Sequence, residues 1–350
     1  MKSQPSPAPE TASSPAGIHK EEEEEEEEDV MSEIHIGCPS KFTGPFISHF
    51  SFSLPHDVDY LGSKYEYQVL DDSQQRQEVS LDDDGDLAVP RRNKRSENKF
   101  VVAIQHNITS SIPKVGLQVW RAALVLSDFV LHKMFTSTEF DGIVALELGA
   151  GTGLVGMLLA RVAKTVFLTD HGVEILENCA SNVHLNSALI PSKASVYVRE
   201  LDWKAPWPPQ QSNYPSGHSY VWNLSELEEL ERASLLVAAD VIYSDDLTDA
   251  LFTTLERLMS RGLNKVLYLA LEKRYNFSVD DLDVVANGYS RFRSYVRDEN
   301  EHDKIPNGSS RAFIGTRMDL TKIPQYANEY IRGQDVELWQ IKYAREEENL

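Results

Sequence analysis

A glycine-rich turn between a predicted strand and a predicted helix most restricts the fold of this 350-residue chain. Residues 143–148 have the length and apolar composition of a buried strand, and residues 154–163 have those of a helix. Between them the sequence reads Gly-Ala-Gly-Thr-Gly at 149–153. Glycines there let the backbone turn sharply and approach a ligand at the carboxyl edge of a parallel sheet. The turn therefore predicts an α/β fold with a nucleotide-like ligand at the sheet edge.

Alternating strand and helix patterns run from residue 100 to near the end of the chain. Further strands are predicted at 165–169, 195–201, 235–239, 266–271, 312–318 and 336–343. Helices are predicted at 117–135 and 279–296, around Leu176, Ala180 and Val183, and along Leu247, Leu251, Leu255 and Leu258. Repeated units of this length predict a mostly parallel sheet with helices on both faces. The last two strands have no long helix between them and predict an antiparallel hairpin at the C-terminal edge.

Two ligands are compatible with the glycine-rich turn. Residues 151–156 satisfy G-x-G-x-x-G, the dinucleotide fingerprint, and Asp170 at the end of the second strand suits a ribose diol with either ligand. Glu147 favours a cationic ligand and would repel a pyrophosphate. S-adenosylmethionine carries an amino group and a sulfonium, and the sequence shows no obvious hydride-transfer constellation. A methyl donor is therefore favoured, and an NAD-dependent oxidoreductase is the enzyme alternative.

The acidic composition indicates the class of partner. The formal net charge is −21, and residues 1–99 carry 10 basic and 22 acidic side chains, which is −12 of that total. This charge repels phosphate backbones, so we expect no direct nucleic-acid binding and a basic or lysine-bearing protein as partner. Two distant cysteines are typical of a reducing compartment. We find no secretory signal and no apolar run near the ~20 residues that span a bilayer, so we expect a soluble, intracellular protein without membrane association.

The chain divides into three predicted parts. Residues 1–30 are rich in Pro, Ser and Ala and then polyacidic, so we expect a disordered acidic tail. Residues 31–99 are mixed in composition, and we expect a poorly ordered extension and linker. Residues 100–350 are expected to form the catalytic domain. The basic cluster at 91–95 is a candidate nuclear import signal, and we expect a nuclear and cytoplasmic protein. The histidines show no metal-ligand spacing, so no metal site is expected.

Four motifs carry a resemblance to a known family: VWRAA at 119–123, ELGAGTGLVG at 147–156, LDW at 201–203 and ADVIY at 239–243. Together they resemble the family-sixteen protein-lysine methyltransferases, which are seven-β-strand, class I enzymes. The resemblance covers residues 80–345. It implies a Rossmann-like seven-stranded sheet, S-adenosylmethionine as cofactor and the lysine ε-amine of a non-histone protein as acceptor. Nuclear proteins and chaperones are among the expected partners, and we expect a monomer.

The resemblance implies a donor site built from residues that mostly follow the strands. These residues are Trp120, Glu147, Gly149, Ala150, Gly151, Gly153, Asp170, Asp202, Trp203 and Ala239. The glycine-rich turn is expected to wrap the methionine part, Glu147 to face its cationic end, and Asp170 to hold the ribose hydroxyls. Asp202 and Trp203 are expected to meet the adenine, and Trp120 to line the site. The structural alternatives are a core aromatic for Trp120, a turn or cap residue for Asp202 and a helix cap for Asp170.

Asp240 and Tyr243 are the candidate catalytic residues. They follow the fourth strand, next to the first, where ligands bind in open α/β sheets. They match the family's acidic-x-x-aromatic signature, so Asp240 is expected to orient the lysine and Tyr243 to restrict its approach. A free lysine has a pKa of about 10.4, which desolvation beside a sulfonium should lower. The alternatives are a helix cap at Asp240 and a catalytically silent fold that acts as an interaction module. Lys273 and Arg274 could shape the acceptor groove or begin a solvated helix.

Overall fold

The computed structural model describes residues 29–34, 45–55, 99–209, 220–278, 283–299, 313–328 and 330–344. Nearly all of the predicted acidic tail, much of the predicted linker and the basic cluster at 91–95 lie outside these ranges. The division of the chain at residues 30 and 99 therefore stays a prediction.

The described residues form fourteen strands and six α-helices. The strands are β1 Asp29–Met31, β2 Phe46–Ser53, β3 Lys99–His106, β4 Thr109–Ser111, β5 Val144–Leu148, β6 Thr165–Asp170, β7 Ser195–Glu200, β8 Leu235–Ala239, β9 Val266–Glu272, β10 Asn276–Ser278, β11 Asp283–Val285, β12 Val296–Asp298, β13 Phe313–Arg317 and β14 Val336–Tyr343. The helices are α1 Arg121–Thr136, α2 Leu154–Leu159, α3 Val173–Leu185, α4 Leu224–Glu231, α5 Asp245–Met259 and α6 Asn287–Tyr295.

An eight-stranded sheet with the order β12-β13-β14-β9-β8-β5-β6-β7 forms the centre of the described structure. The strands from β9 to β7 are parallel, and β14 runs antiparallel between β9 and β13. This arrangement confirms the predicted α/β, Rossmann-like sheet with an antiparallel C-terminal hairpin. The short strand β12 pairs in parallel with β13 and adds one strand to the seven expected.

Three helices differ from their predicted bounds. Helix α2 ends at Leu159 instead of residue 163, with Ala160 as its C-cap. Helix α1 begins at Arg121 instead of residue 117, because Ile112–Leu117 form a separate 3-10 helix and Trp120 has extended backbone at the N-cap. The helix predicted at 279–296 is shortened to α6, and its last predicted residue already belongs to β12. Pairing with β13 there outweighs the helical pattern of a segment rich in aromatic residues.

Helices cover both faces of the sheet and bury two apolar clusters. On one face α1, α2 and α3 contribute residues such as Leu124 and Leu176. On the other face α4, α5 and α6 pack through residues such as Leu251, Leu255 and Phe292. Because both faces are covered, only the edges and strand ends of the sheet are left for a ligand.

Strands β2 and β3 form an antiparallel pair on the first face, with Phe50 and Phe52 buried. Two asparagines, Asn182 in α3 and Asn186 at its C-cap, hold the other edge of β3. Asn182 accepts a hydrogen bond from the N–H of Gln105 at 2.7 Å and donates to its carbonyl at 3.0 Å. Asn186 makes the same two bonds with Ala103, at 2.9 and 2.7 Å. These side chains satisfy the backbone groups of β3 as a neighbouring strand would.

Candidate active site

A cavity of about 460 Å³ opens at the carboxyl ends of the central parallel strands. Its volume lies within the range of small-molecule and cofactor sites. Eleven of the twelve predicted site residues line it: Trp120, Glu147, Gly149, Ala150, Gly151, Asp170, Asp202, Trp203, Ala239, Asp240 and Tyr243. Gly153 lies behind the loop instead, as the N-cap of α2, where an added Cβ would come within 2.9 Å of the Cys179 sulfur. The structure thus gives Gly153 a packing role.

The loop between β5 and α2 has the shape that its glycines allow. Gly151 has a φ of +51°, and an added Cβ would lie 2.8 Å from the carbonyl oxygen of Gly116. At Gly156 an added Cβ would lie 2.0 Å from the Leu168 side chain and 2.5 Å from Glu147 Oε2. A larger residue at either position would therefore displace the loop or the carboxylate beneath it.

Glu147 is buried beneath this loop with 2% of its surface exposed. Its Oε2 accepts a hydrogen bond of 2.8 Å from the backbone N–H of Gly156. Burial raises the pKa of Glu147 to about 8, and the nearby charge of Asp170 acts in the same direction. A cation in the cavity would stabilise the charged carboxylate, so the position fits the amino group and sulfonium of S-adenosylmethionine.

Asp170, at the end of β6, accepts hydrogen bonds from two backbone N–H groups, those of Gly151 at 2.7 Å and His171 at 2.8 Å. Burial raises its pKa, and these two bonds act in the opposite direction. Each carboxylate oxygen has a second lone pair, so Asp170 can accept ribose hydroxyls while it holds the loop. The ribose contact stays a prediction, and the structure shows that Asp170 joins the end of β6 to the loop after β5.

Asp202 and Trp203 form the wall after β7. Asp202 accepts a hydrogen bond of 2.8 Å from the Lys204 N–H, as the turn alternative anticipated, and it also lines the cavity. Trp203 lies across from Gly149, where an added Cβ would be 3.5 Å from the indole Cη2. An aromatic face and a carboxylate edge thus stand together, as adenine binding requires.

Trp120 borders the cavity instead of filling the core. Its indole Nε1 donates to the carbonyl oxygen of Val115 at 3.0 Å, which fixes the ring at the start of α1. The guanidinium of Arg274 lies over the ring, 4.6 Å from its centroid. Trp120 therefore borders the cavity and also contacts a cation through its ring.

Asp240 has a left-handed backbone conformation, with a φ of +56°, directly after β8. Such strain in a residue other than glycine persists where the surroundings enforce it, and it is common at functional sites. Arg274 donates to Oδ2, whereas Oδ1 is buried and has no hydrogen-bond partner among the described residues. Burial raises the pKa of Asp240, the Arg274 charge lowers it, and Glu33 raises it again.

The helix-cap alternative for Asp240 is not what the structure shows. Helix α5 begins at Asp245 with Ser244 at its N-cap, so Asp240 lies outside the capping position. Tyr243 is 40% exposed and lines the cavity, so it is not a core residue. Burial, with smaller contributions from nearby carboxylates, raises the pKa of Tyr243 to about 12, and its hydroxyl stays protonated at neutral pH.

A charged cluster beside Asp240 was not found from the sequence. Arg121 bonds Glu272 through its guanidinium, and its backbone N–H donates to Glu33 at 2.9 Å. Arg121 lies in the first family motif and Glu272 directly precedes Lys273, so both had a local signal. Glu33 had none, because 88 residues separate it from Arg121.

No set of three or more His, Cys, Asp or Glu side chains in the described part of the chain is arranged to hold a metal ion. None of the helices in that part combines the length and apolar character needed to cross a bilayer.

Comparison with known proteins gives distant structural likenesses and closer sequence relatives. The solved structure of Streptococcus pneumoniae Sp1610, a putative tRNA (m1A22) methyltransferase in complex with S-adenosyl-L-methionine, aligns with a TM-score of 0.34 and 14% identity. The alignment covers 65% of this chain and 73% of that one. Protein N-lysine methyltransferase METTL21A of Mus musculus is 36% identical over 162 residues, which are 46% of this chain and 62% of the relative.

Methyltransferase-like protein 22 of Homo sapiens is 34% identical over 299 residues, which are 75% of this chain and 71% of the human protein. The mouse protein of that name is 37% identical over 244 residues, and the chain spans 59% of its length. The runs at 81–87, 243–250 and 271–277 resemble the same protein, and these identities confirm that resemblance. The family model for lysine methyltransferases matches residues 97–285, more than half of the chain. On this match and the human relative, the chain belongs to the lysine methyltransferase family.

Proposed function

We propose that the protein transfers a methyl group from S-adenosylmethionine to the lysine ε-amine of a non-histone protein. One observation carries the proposal: Asp240 and Tyr243 line the same cavity as the glycine-rich loop, Glu147 and Asp170. The family's acceptor signature, Asp240 and Tyr243, and a loop suited to a cationic nucleoside thus line the same cavity. Family membership supplies the reaction class, and it gives no support to the NAD-dependent alternative.

The donor would be held by contacts along the strand ends. The loop backbone at Gly149 and Gly151 would surround the methionine part, with Glu147 facing the ammonium and sulfonium. Asp170 would accept the ribose hydroxyls, and Trp203 would cover the adenine. When bound, S-adenosylmethionine supplies an electrophilic methyl group attached to sulfur.

Asp240 and Tyr243 would place the lysine amine in line with that methyl group. Asp240 accepts a hydrogen bond from the amine and fixes its direction, and the exposed Tyr243 ring limits the approach to one path. Neither residue has to act as a strong base, because alignment of the two reactants supplies most of the acceleration. The proton of the lysine ammonium leaves to water before transfer.

The partner and the location are also proposals. The acidic run at 21–29 supports a basic protein substrate, among which nuclear proteins and chaperones are candidates. The basic cluster at 91–95 supports nuclear import, and we propose a nuclear and cytoplasmic monomer.

Calorimetry and methyl transfer test the proposed function together. S-adenosylhomocysteine should bind with micromolar Kd, and radiolabelled S-adenosylmethionine should label a protein band in cell extract at lysine, as mass spectrometry would show. Asp240→Asn is the informative variant, because asparagine tolerates the left-handed backbone and removes only the charge. It should keep the affinity for S-adenosylhomocysteine and lose transfer. Absence of binding by the wild-type protein would exclude the proposed function, and binding without labelling would favour the silent interaction module.

A further inference from the structure

Arg274 contacts two residues that line the cavity, although it does not line the cavity itself. Its guanidinium donates to Asp240 Oδ2 and lies 4.6 Å from the centre of the Trp120 ring. The Arg274 side chain is 37% exposed, whereas that of Asp240 is 2% exposed. Arg274 therefore fixes one oxygen of the carboxylate while the Asp240 side chain stays almost fully buried.

The second oxygen of Asp240 makes no hydrogen bond of ordinary geometry, although the backbone N–H of Glu272 also acts on this carboxylate and lowers its pKa. Oδ1 is buried and has no hydrogen-bond partner among the described residues. A buried acceptor without a donor is costly, and most native structures avoid it. A donor from the substrate would remove that cost, and the lysine amine is such a donor under the proposed function.

The charge of this pair decides the state of a bound lysine. A lone buried carboxylate would hold the lysine as an ammonium, and an ammonium has no lone pair with which to attack a methyl group. The adjacent guanidinium brings the formal charge of the Asp240–Arg274 pair to zero. Asp240 can therefore orient a lysine beside this pair, and the lysine can still lose its proton when the sulfonium is near.

Other charged and titratable groups surround the pair and must be considered in any pH profile. Those that act on Asp240 or its neighbours are Glu33 of the N-terminal segment, Arg121 of α1, Asp170 of β6, Tyr243 after β8 and Glu272 of β9. Burial and then Glu33 raise the pKa of Glu272 to about 7, while Arg121 opposes them. Glu272 therefore titrates near neutrality, and its contribution has to be separated from that of the lysine.

We propose that Arg274 is a positioning residue that holds one oxygen of Asp240 and balances its charge, so that the other oxygen orients the lysine amine without keeping it protonated. This inference rests on the proposed lysine methylation. In the step concerned, the ammonium gives its proton to water and the nitrogen lone pair forms the N–CH3 bond. The S–CH3 bond breaks, and its electron pair stays on sulfur. The methylammonium product then carries the positive charge that the sulfonium loses.

The test is the pH dependence of methyl transfer from radiolabelled S-adenosylmethionine to the extract protein that the wild-type enzyme labels. In Arg274→Gln we expect the apparent pKa of kcat to rise by at least one unit. This rise lowers kcat about tenfold near pH 7.5 and lets it recover at pH 9.5 to 10, with an unchanged or lower KM for the acceptor. Arg274→Lys keeps the charge and should keep the wild-type profile.

Two control variants separate this effect from others. Lys273→Gln removes the neighbouring cation, whose ammonium lies 2.7 Å from Glu337, and should leave the profile unchanged. Glu272→Gln removes the nearby group that titrates near neutrality, and Arg274→Gln combined with it should still show the upward shift. Calorimetry with S-adenosylhomocysteine and thermal unfolding check that each variant is folded.

The outcomes are distinguishable. An Arg274→Gln profile that is lowered equally at every pH, or not lowered at all, overturns the inference and leaves the proposed function standing. If the Gln variant does not fold, a wild-type profile in Arg274→Lys supports the inference and a shifted profile overturns it. If the wild-type enzyme labels no protein at lysine, the proposed function falls and the inference falls with it.

Discussion

Asp170 and Gly151 are joined by a hydrogen bond of 2.7 Å, in which the loop N–H donates to the carboxylate at the end of the neighbouring strand. The residue expected to hold the ribose of the donor therefore also fixes the loop expected to hold its methionine part. Recognition of the ligand and the shape of its site depend on the same side chain.

Asp170→Asn should weaken binding of S-adenosylhomocysteine. The amide replaces one acceptor oxygen by a donor NH2 group, which then faces a backbone N–H of Gly151 or His171. The loss of one charge-assisted hydrogen bond, about 2 kcal/mol, corresponds to about a thirtyfold higher Kd by calorimetry. An unchanged Kd would show that this carboxylate does not contact the ligand.

Glu147 should make donor binding depend on pH. Its pKa is raised to about 8, so at pH 7 the buried side chain is mostly protonated, and the ammonium group that S-adenosylhomocysteine shares with S-adenosylmethionine favours its ionised form. Binding of S-adenosylhomocysteine at pH 7 should then release protons, and the affinity should rise by up to about tenfold per pH unit toward pH 8. Calorimetry in buffers of different ionisation enthalpy measures this release. Glu147→Gln should release none, and equal release by both proteins contradicts the assignment.

The same raised pKa affects the stability of the ligand-free protein. The folded state holds a proton on Glu147 between the unfolded value near 4.5 and about 8, so its contribution to stability is lost as the pH rises through about 8. From pH 7 to pH 9 the melting temperature of Glu147→Gln should fall less than that of the wild-type protein. A parallel fall in both proteins would contradict the raised pKa.

Gly151→Ala should abolish donor binding. Alanine at a positive φ costs about 1–2 kcal/mol, and the added Cβ would also lie 2.8 Å from the Gly116 carbonyl and displace the loop. Gly142→Ala is the matched control, because Gly142 has a φ of +67° and no atom within 4 Å of an added Cβ. Both variants should lose stability in urea, Gly151→Ala by more because of its contact with Gly116, and only Gly151→Ala should lose binding of S-adenosylhomocysteine. Retained binding would show that the loop adapts.

Asp128→Asn should destabilise the fold and leave the site intact. Asp128 is fully buried in α1 and accepts hydrogen bonds from the backbone N–H groups of Tyr326 and Ala327, the Tyr330 hydroxyl and the Arg332 guanidinium. Breaking this buried ion pair should cost about 3–5 kcal/mol in urea unfolding. The affinity for S-adenosylhomocysteine in the cold should not change.

Lys322→Ala is the surface control for that measurement. Lys322 is largely exposed and lies 3.5 Å from Asp319, and such pairs contribute less than about 1 kcal/mol. Equal effects of the two substitutions would mean that the cluster around Asp128 is not a stabilising contact.

Deleting residues 1–28 should weaken capture of a basic acceptor protein without affecting the donor. Attraction by the acidic run at 21–28 is screened by salt, so the KM for the acceptor should rise at low salt and depend less on ionic strength. The deletion has to stop before Asp29, because Glu33 accepts a hydrogen bond from Arg121. Deleting 1–20 keeps the acidic run and should change nothing. Identical salt dependence in all three proteins would assign the run no role in recruitment.

The central sheet and most of the site could be predicted because their signals are local. The loop glycines, Asp170 and Asp240 each follow an apolar strand, and parallel strands bring such positions to one edge. Gly153 shares that signal, but its place behind the loop depends on Cys179 of α3, which the motif does not contain.

Contacts between distant segments could not be predicted. Strand β2 pairs with β3 although 45 residues lie between the two strands. The apolar run at 42–52 is compatible with a strand or hairpin that acidic and turn residues interrupt, but nothing in that run indicates β3 as its partner. The sequence does not decide the role of Arg274, because whether its side chain contacts Asp240 or solvent depends on the left-handed backbone at Asp240. Tertiary packing determines such contacts, and they produce no periodic pattern in the sequence.

Strand β3 has a consequence for any shortened version of the protein. The match to the family begins at residue 97, just before β3, whereas the strand that covers one edge of β3 is Phe46–Ser53. A fragment cut at residue 97 would present an uncovered edge beside the apolar residues Phe100, Val102 and Ile104. Uncovered apolar edges of this kind recruit other chains and promote aggregation. The smallest fragment that stays dispersed should therefore begin before residue 45, well outside the part of the sequence by which the family is recognised.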